Sequence, residues 1–263
     1  MQWAGTTTVI TGASRGIGRA VAVAAAAKGA RVGLIARSES DLRAVLAEAG
    51  GRGAIAVADV AEPDELQAAL TGLEAELGPV DVLVANAGVG SYGAFADLSA
   101  DEAERIVRVN VLGTVHAIRA VVPGMIERRR GHVVTIGSIA GRLGSPFEAI
   151  YSATKFAGVG LTEALVVELE PYGIGVSMIQ PGPVATHFGE ARGHPYDRKR
   201  PKPVPAEQVA AAVIRAVEND RHEQYVPGAF RAAVVTRHLL PPLFRWGSKR
   251  SFRRELAEDR AAR

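Results

Sequence analysis

Three side chains able to move a proton or steady a developing negative charge fall close together near the middle of this 263-residue chain: Ser138, Tyr151 and Lys155. Tyr151 and Lys155 are four apart, so in a helix they share one face. A free phenol titrates near 10, too high for ready proton exchange near neutrality. An ammonium about 4 Å away would supply roughly 4 kcal/mol at an effective dielectric near 20, worth about three pKa units. The spacing therefore predicts a Tyr151 drawn toward working pH by Lys155, as a general acid–base requires. A Tyr-x-x-x-Lys pair is common as plain helix structure. It gains chemical meaning from Ser138, which closes an apolar run over residues 132–136. Two hydroxyls facing one crevice could hold a carbonyl oxygen.

A second cluster lies near the start. The run over residues 6–11 ends in Gly12-Ala13-Ser14-Arg15-Gly16-Ile17-Gly18, and a helical pattern follows at once. Glycines there let the backbone turn tightly and approach a pyrophosphate, while a helix N-terminus offers unpaired N–H groups. Cofactor choice follows from charge. A carboxylate closing the second strand would accept bonds from an NAD ribose. Here that place holds Ala36 followed by Arg37, and Arg15 sits in the glycine loop. Two cations without an anion suit a 2′-phosphate, so NADP(H) is expected over NAD(H).

The elements that must position these groups are legible as alternation. Apolar runs at residues 6–11, 31–36, 53–57, 80–85, 132–136 and 174–179 are separated by helix-length segments. In the first such segment Ile17, Ala20, Val21, Ala24 and Ala27 recur on one helical face. Strands apolar throughout and separated by helices imply a doubly wound, mostly parallel α/β sheet of Rossmann type with helices on both faces. Chemistry in such sheets lies at the carboxyl ends of the strands, where Ser138 and the glycine loop fall. Residues 189–205, with four prolines and five cations (Arg192, Arg198, Lys199, Arg200 and Lys202), read as a mobile loop.

Composition narrows the classes. With 48% hydrophobic and 22% charged residues the chain is globular, neither disordered nor fibrous. It has no cysteine, which excludes disulfides, thiolate metal sites and a cysteine nucleophile, and no metal site is expected. Neither a signal-peptide pattern nor a run of about 18 uncharged apolar residues is evident, so a cytoplasmic location is expected. From Ala229 onward nine basic residues face three acids, a balance of +6, leaving −3 on residues 1–228 of the formal +3. The basic character belongs to the tail, and nucleic-acid binding is not expected.

Taken together the residues resemble the short-chain dehydrogenase/reductase family, over roughly residues 6–226. Further motifs carry the resemblance: Asp59-Val60, Asn86-Ala87-Gly88, Asn110, and Pro181-Gly182-Pro183-Val184-Ala185-Thr186. It implies an oxidoreductase moving a hydride between nicotinamide and a carbonyl or alcohol. Tyr151 would be the acid–base, Lys155 would bind the nicotinamide ribose and lower the tyrosine pKa, and Ser138 would position substrate. Asn110 would hold a water in the proton relay. Asp59 would contact adenine, Asn86 the cofactor-side backbone, and Val184 and Thr186 the nicotinamide amide. A homodimer or homotetramer through helices near 101–128 and 151–171 is implied in the same way. Gly137 departs from the family, which often has a second serine there.

Specificity is expected from residues 89–97, 142–150 and 187–205, which offer Tyr92, Phe95, Leu143, Phe147 and Phe188 as a largely apolar lining with few charges. A lipophilic carbonyl compound would suit it. His187 reads as a solvated loop histidine. Residues 1–228 form the binding and catalytic domain. The tail, residues 229–263, is expected to pack on that domain or a neighbouring subunit, in preference to a membrane, with Pro241-Pro242 interrupting any single helix. Two other functions fit the same sequence: a catalytically silent NADP(H)-binding regulator, and an epimerase or dehydratase on the same fold.

Overall fold

Thr7–Thr11 (β1) is buried along its whole length and sends alternate side chains to opposite faces, Ile10 into one core and Val9 into the other. That pattern recurs across a seven-stranded, wholly parallel sheet ordered β3-β2-β1-β4-β5-β6-β7. The remaining strands are β2 (Arg31–Ala36), β3 (Gly53–Val57), β4 (Val82–Ala85), β5 (Gly131–Ile136), β6 (Ile174–Pro181) and β7 (Glu223–Val226). The structure is a computed structural model and describes residues 1–196 and 201–262. The doubly wound reading holds, and six strands fall where the apolar runs predicted them. The seventh, Glu-Gln-Tyr-Val, is an edge strand with no continuous apolar run and was not legible.

On one face α1 (Gly16–Ala27), α2 (Glu39–Glu48) and α9 (Ala206–Asn219) pack over Ile10, Val84, Val134 and Ile179. On the other, α3 (Pro63–Leu77), α5 (Gly113–Arg128) and α7 (Ala149–Leu169) pack over Val9, Leu83, Val133 and Val176. The helix expected near residues 101–128 is α4 (Ala100–Val107), a π-helical turn (Arg108–Leu112) and α5 in unbroken sequence. By length and mean hydropathy this stretch is apolar enough to cross a bilayer, but it is no uncharged run, since Arg108, Arg119 and Glu127 interrupt it. Here its inner residues Ile106, Ala117, Ile118, Val121 and Met125 are buried.

The strand order reverses between β1 and β4, and the loops leaving their carboxyl ends diverge there to open a crevice. Two short helices, α6 (Ala140–Leu143) and α8 (Phe188–Ala191), border it. The tail forms α10 (Phe230–Leu239), α11 (Pro241–Ser251) and α12 (Arg253–Ala262), and the expected break falls at Leu240–Pro241. Phe230 lies directly on Gly182, where a Cβ would meet its ring at 2.1 Å, so the tail begins against the loop after β6. Of the loop expected at residues 189–205, the start belongs to α8 and Val204 pairs with Val184, while Arg198, Lys199 and Arg200 lie outside the described residues.

Candidate active site

The glycine loop leaves β1 with Gly12 and Gly16 at φ 65° and 57°, left-handed values that side chains disfavour. A Cβ on Gly12 would lie 2.8 Å from Ala87 Cα, so the loop packs on the end of β4 backbone to backbone. Asn86 fastens this contact: its Nδ2 donates to Thr11 O at 2.9 Å and Gly12 O at 3.1 Å. Arg15 stands at the N-cap of α1 without a side-chain cap bond, and no acid occupies the first turn. Exposed N–H groups and a positive dipole end therefore face the crevice, which fits a pyrophosphate. Gly12, Ser14, Arg15, Gly16, Ile17, Arg37, Asp59, Val60, Asn86, Ala87, Gly88, Pro181, Gly182, Val184 and Thr186 all line it. Gly18 lies beneath instead: a Cβ there would strike Gly12 O at 2.3 Å, so it lets α1 sit close under the loop.

The adenine end departs from the sequence reading in one respect. Arg15 pairs with Asp41 at 3.1 Å and Arg37 lies 3.7 Å from Asp59. The two cations thus have anions beside them, supplied from a helix and a strand end that linear sequence does not bring together. Both arginines remain largely exposed, and exposed pairs contribute little to stability. Ser38, which the sequence reading passed over, caps α2 by accepting the Asp41 N–H and lines the crevice beside Arg37.

Tyr151 is buried at the start of α7, with its hydroxyl on the side of Ser138, just beyond β5. The Ser138 N–H donates to Gln180 Oε1 at 2.9 Å, and its Oγ accepts the Ala140 N–H at 3.1 Å. Burial pushes the phenol up to about 12, while the Ser138 hydroxyl and the Arg192 cation pull it down and the Glu148 anion raises it. Lys155 stands one turn further along the same helix. Its ammonium lies 5.8 Å from the centre of the tyrosine ring and donates to Ile136 O at 2.9 Å, and burial lowers it to about 8. A buried ammonium thus turns to the carbonyl at the end of β5.

Asn110 does not line the crevice. In the π-helical turn it is buried, its Oδ1 accepting the Val89 N–H at 2.8 Å and its Nδ2 donating to Val89 O and Thr154 Oγ1. It stands close to Lys155 all the same, since a Cβ on Gly88 would lie 3.3 Å from Asn110 Oδ1 and 3.7 Å from Lys155 Nζ.

The substrate side is apolar but not uncharged. Tyr92, Leu143 and Phe188 line it as expected, with the Phe188 ring 5.6 Å from that of Tyr151. Phe95 is exposed and Phe147 stacks outside on Tyr92, so neither faces the crevice. In their place the tail supplies Phe230, Phe244, Trp246 and Phe252. Arg192 and Glu148 form a close ion pair in the wall, both mostly buried, with Ser145 Oγ donating to Glu148 Oε2 at 2.7 Å. Sequence reasoning missed this pair because its members are 44 residues apart on elements with no mutual signal. His187 is exposed beside Glu190 and lines the crevice rim. The crevice has a volume of about 1400 Å³. No cluster of metal ligands occurs among the described residues.

Residues 6–197 match the short chain dehydrogenase family, so the chain belongs to the short-chain dehydrogenases/reductases. It is 33% identical to the ketoacyl reductase HetN of Nostoc, across 97% of this chain and 94% of that protein. It is 38% identical to the glycine betaine reductase ATRR of Emericella nidulans across 83% of this chain, which spans only 18% of that longer protein. Among solved structures, a short-chain dehydrogenase/reductase from Burkholderia phymatum in complex with NAD superposes with a TM-score of 0.84 at 28% identity, covering 92% of this chain and 96% of that one. An oxidoreductase fold that binds nicotinamide nucleotides is thereby established.

Proposed function

We propose that the protein is an NADP(H)-dependent oxidoreductase acting on the carbonyl or secondary alcohol of a lipophilic compound. One observation carries the reading: the buried Tyr151 and Ser138 share a crevice whose one end is the backbone-lined glycine loop and whose other end is walled by Tyr92, Phe188, Phe230 and Phe244.

The nicotinamide, when bound, supplies or takes up the hydride. Gly12, Ser14, Gly16 and the start of α1 would hold its pyrophosphate, and Arg15, Arg37 and Ser38 a 2′-phosphate. The absence of a carboxylate at Ala36 supports NADP(H) over NAD(H). In the reducing direction Tyr151 would give its phenolic proton to the substrate oxygen while Ser138 donates to the same atom, where negative charge develops. A phenol held near 12 by burial stays protonated at neutral pH, as an acid must. Lys155, lowered to about 8, can release and regain a proton near neutrality.

The test is a spectrophotometric screen of NADPH and NADH oxidation over hydrophobic aldehydes, ketones and 3-oxoacyl thioesters. Oxidation of NADPH in preference to NADH with at least one lipophilic carbonyl is expected. Turnover without net NADPH consumption would point to epimerase or dehydratase chemistry and overturn the reading.

A further inference from the structure

The tail has two dissimilar sides. On α11, Phe244, Gly247, Ser248 and Ser251 look into the crevice. The opposite side carries Arg245, Lys249 and Arg250, all exposed. Between them, Leu243 and Trp246, one turn apart, both line the crevice and reach solvent, at 52% and 61% exposure. Leu239 (74% exposed) and Leu240 (54%) extend the apolar edge from the end of α10. One side of the tail therefore faces the crevice and the other faces solvent.

We infer that this outer side of α10 and α11 docks on an anionic lipid bilayer and presents the crevice mouth to it. Charge complementarity selects the partner. Exposed leucines and a tryptophan edged by cations are what an interfacial helix offers to acyl chains and acidic headgroups. A second copy of the chain would bring the same cations face to face, which is repulsive. An acidic protein would satisfy the arginines and lysine but leave Leu239 and Leu240 without use. The bilayer satisfies both, and a lipophilic compound dissolved in it would enter the crevice past Leu243 and Trp246. That entry route rests on the substrate class proposed above; the docking itself does not.

The chain has two tryptophans, and Trp3 is buried, so a change in emission on binding reports Trp246. The full-length protein is floated with vesicles of phosphatidylcholine, with and without phosphatidylserine. Flotation with the anionic vesicles alone, weakened by salt and accompanied by a blue shift of emission, is expected. The double variants Leu239→Glu/Leu240→Glu and Arg245→Glu/Lys249→Glu should each lower binding by at least about tenfold, with thermal midpoint and turnover of a water-soluble carbonyl compound unchanged. Equal binding to neutral vesicles, no binding, or binding that survives both variants would overturn the inference. So would capture of an acidic protein, or a concentration-dependent dimer, through these residues without flotation. Because flotation needs no turnover, an empty substrate screen leaves its result standing.

Discussion

A side chain on residue 137 would run into Gln180: the Cβ of any residue but glycine would lie 2.5 Å from Gln180 Oε1. That oxygen accepts the Ser138 N–H, while the Gln180 Nε2 donates to Glu223 Oε1 at 3.3 Å, and Glu223 in turn pairs with Arg142. The missing second serine is thus the counterpart of a buried glutamine that fixes the backbone of Ser138.

Gly137→Ser should consequently lower both thermal midpoint and kcat, and the added loss should shrink in a Gln180→Ala background. A double-mutant cycle should return a coupling of about 1 kcal/mol or more. Strict additivity would mean that the two positions do not share the space.

Tyr151→Phe should reduce turnover by a factor on the order of 10²–10⁴ while cofactor affinity, followed by quenching of NADPH fluorescence, stays near wild type. A fully active variant would remove Tyr151 from the chemistry.

The Arg192–Glu148 pair gives a signed pH prediction. Glu148 raises the phenol and Arg192 lowers it, and reduction requires the protonated phenol. Glu148→Gln should move the alkaline limb of the pH–rate profile to lower pH, and Arg192→Met should move it up. Each also leaves a mostly buried charge unpaired, at a cost of about 3 kcal/mol, measured by denaturant unfolding. Loss of stability with no movement of the limb would make the pair structural only.

Replacing Arg15 and Arg37 together by alanine should weaken NADPH binding by about ten- to a hundredfold, as expected for two lost contacts to a phosphate, and leave NADH little affected. Equal weakening of both nucleotides would remove the 2′-phosphate assignment.

Buried His132, bonded through Nε2 to Ser177 Oγ at 2.8 Å, should control acid stability. Burial lowers it to about 4 against the attraction of Asp220. The unfolded chain therefore takes up a proton below its ordinary 6.5 while the folded one resists until about 4. Stability falls with pH across that window, by roughly 3 kcal/mol in all. Thermal midpoints of wild type and His132→Gln should converge as the pH drops through it.

What the sequence disclosed and what it concealed divide by range. The glycine loop, Tyr151 and Ser138 were legible because each is set by a strand end and its adjoining helix, which periodicity marks. The orientation of Lys155 was not, since helical spacing fixes a face but not the carbonyl an ammonium will choose. Arg192 with Glu148, and Gly137 with Gln180, meet only through the sheet's long crossovers. The tail's apolar residues were visible, but nothing in their order told which of them face the crevice and which face water.

The π-helical turn at residues 108–112 has a bearing on how this architecture tolerates length changes. A deletion of one residue there would keep every functional side chain, yet rotate α4 against α5 by about 100° and pull the Asn110 amide off Val89. The floor beneath Gly88 and Lys155 is held in phase by the number of residues in that coil. Homologous chains that differ by one amino acid across this stretch should be unable to exchange it.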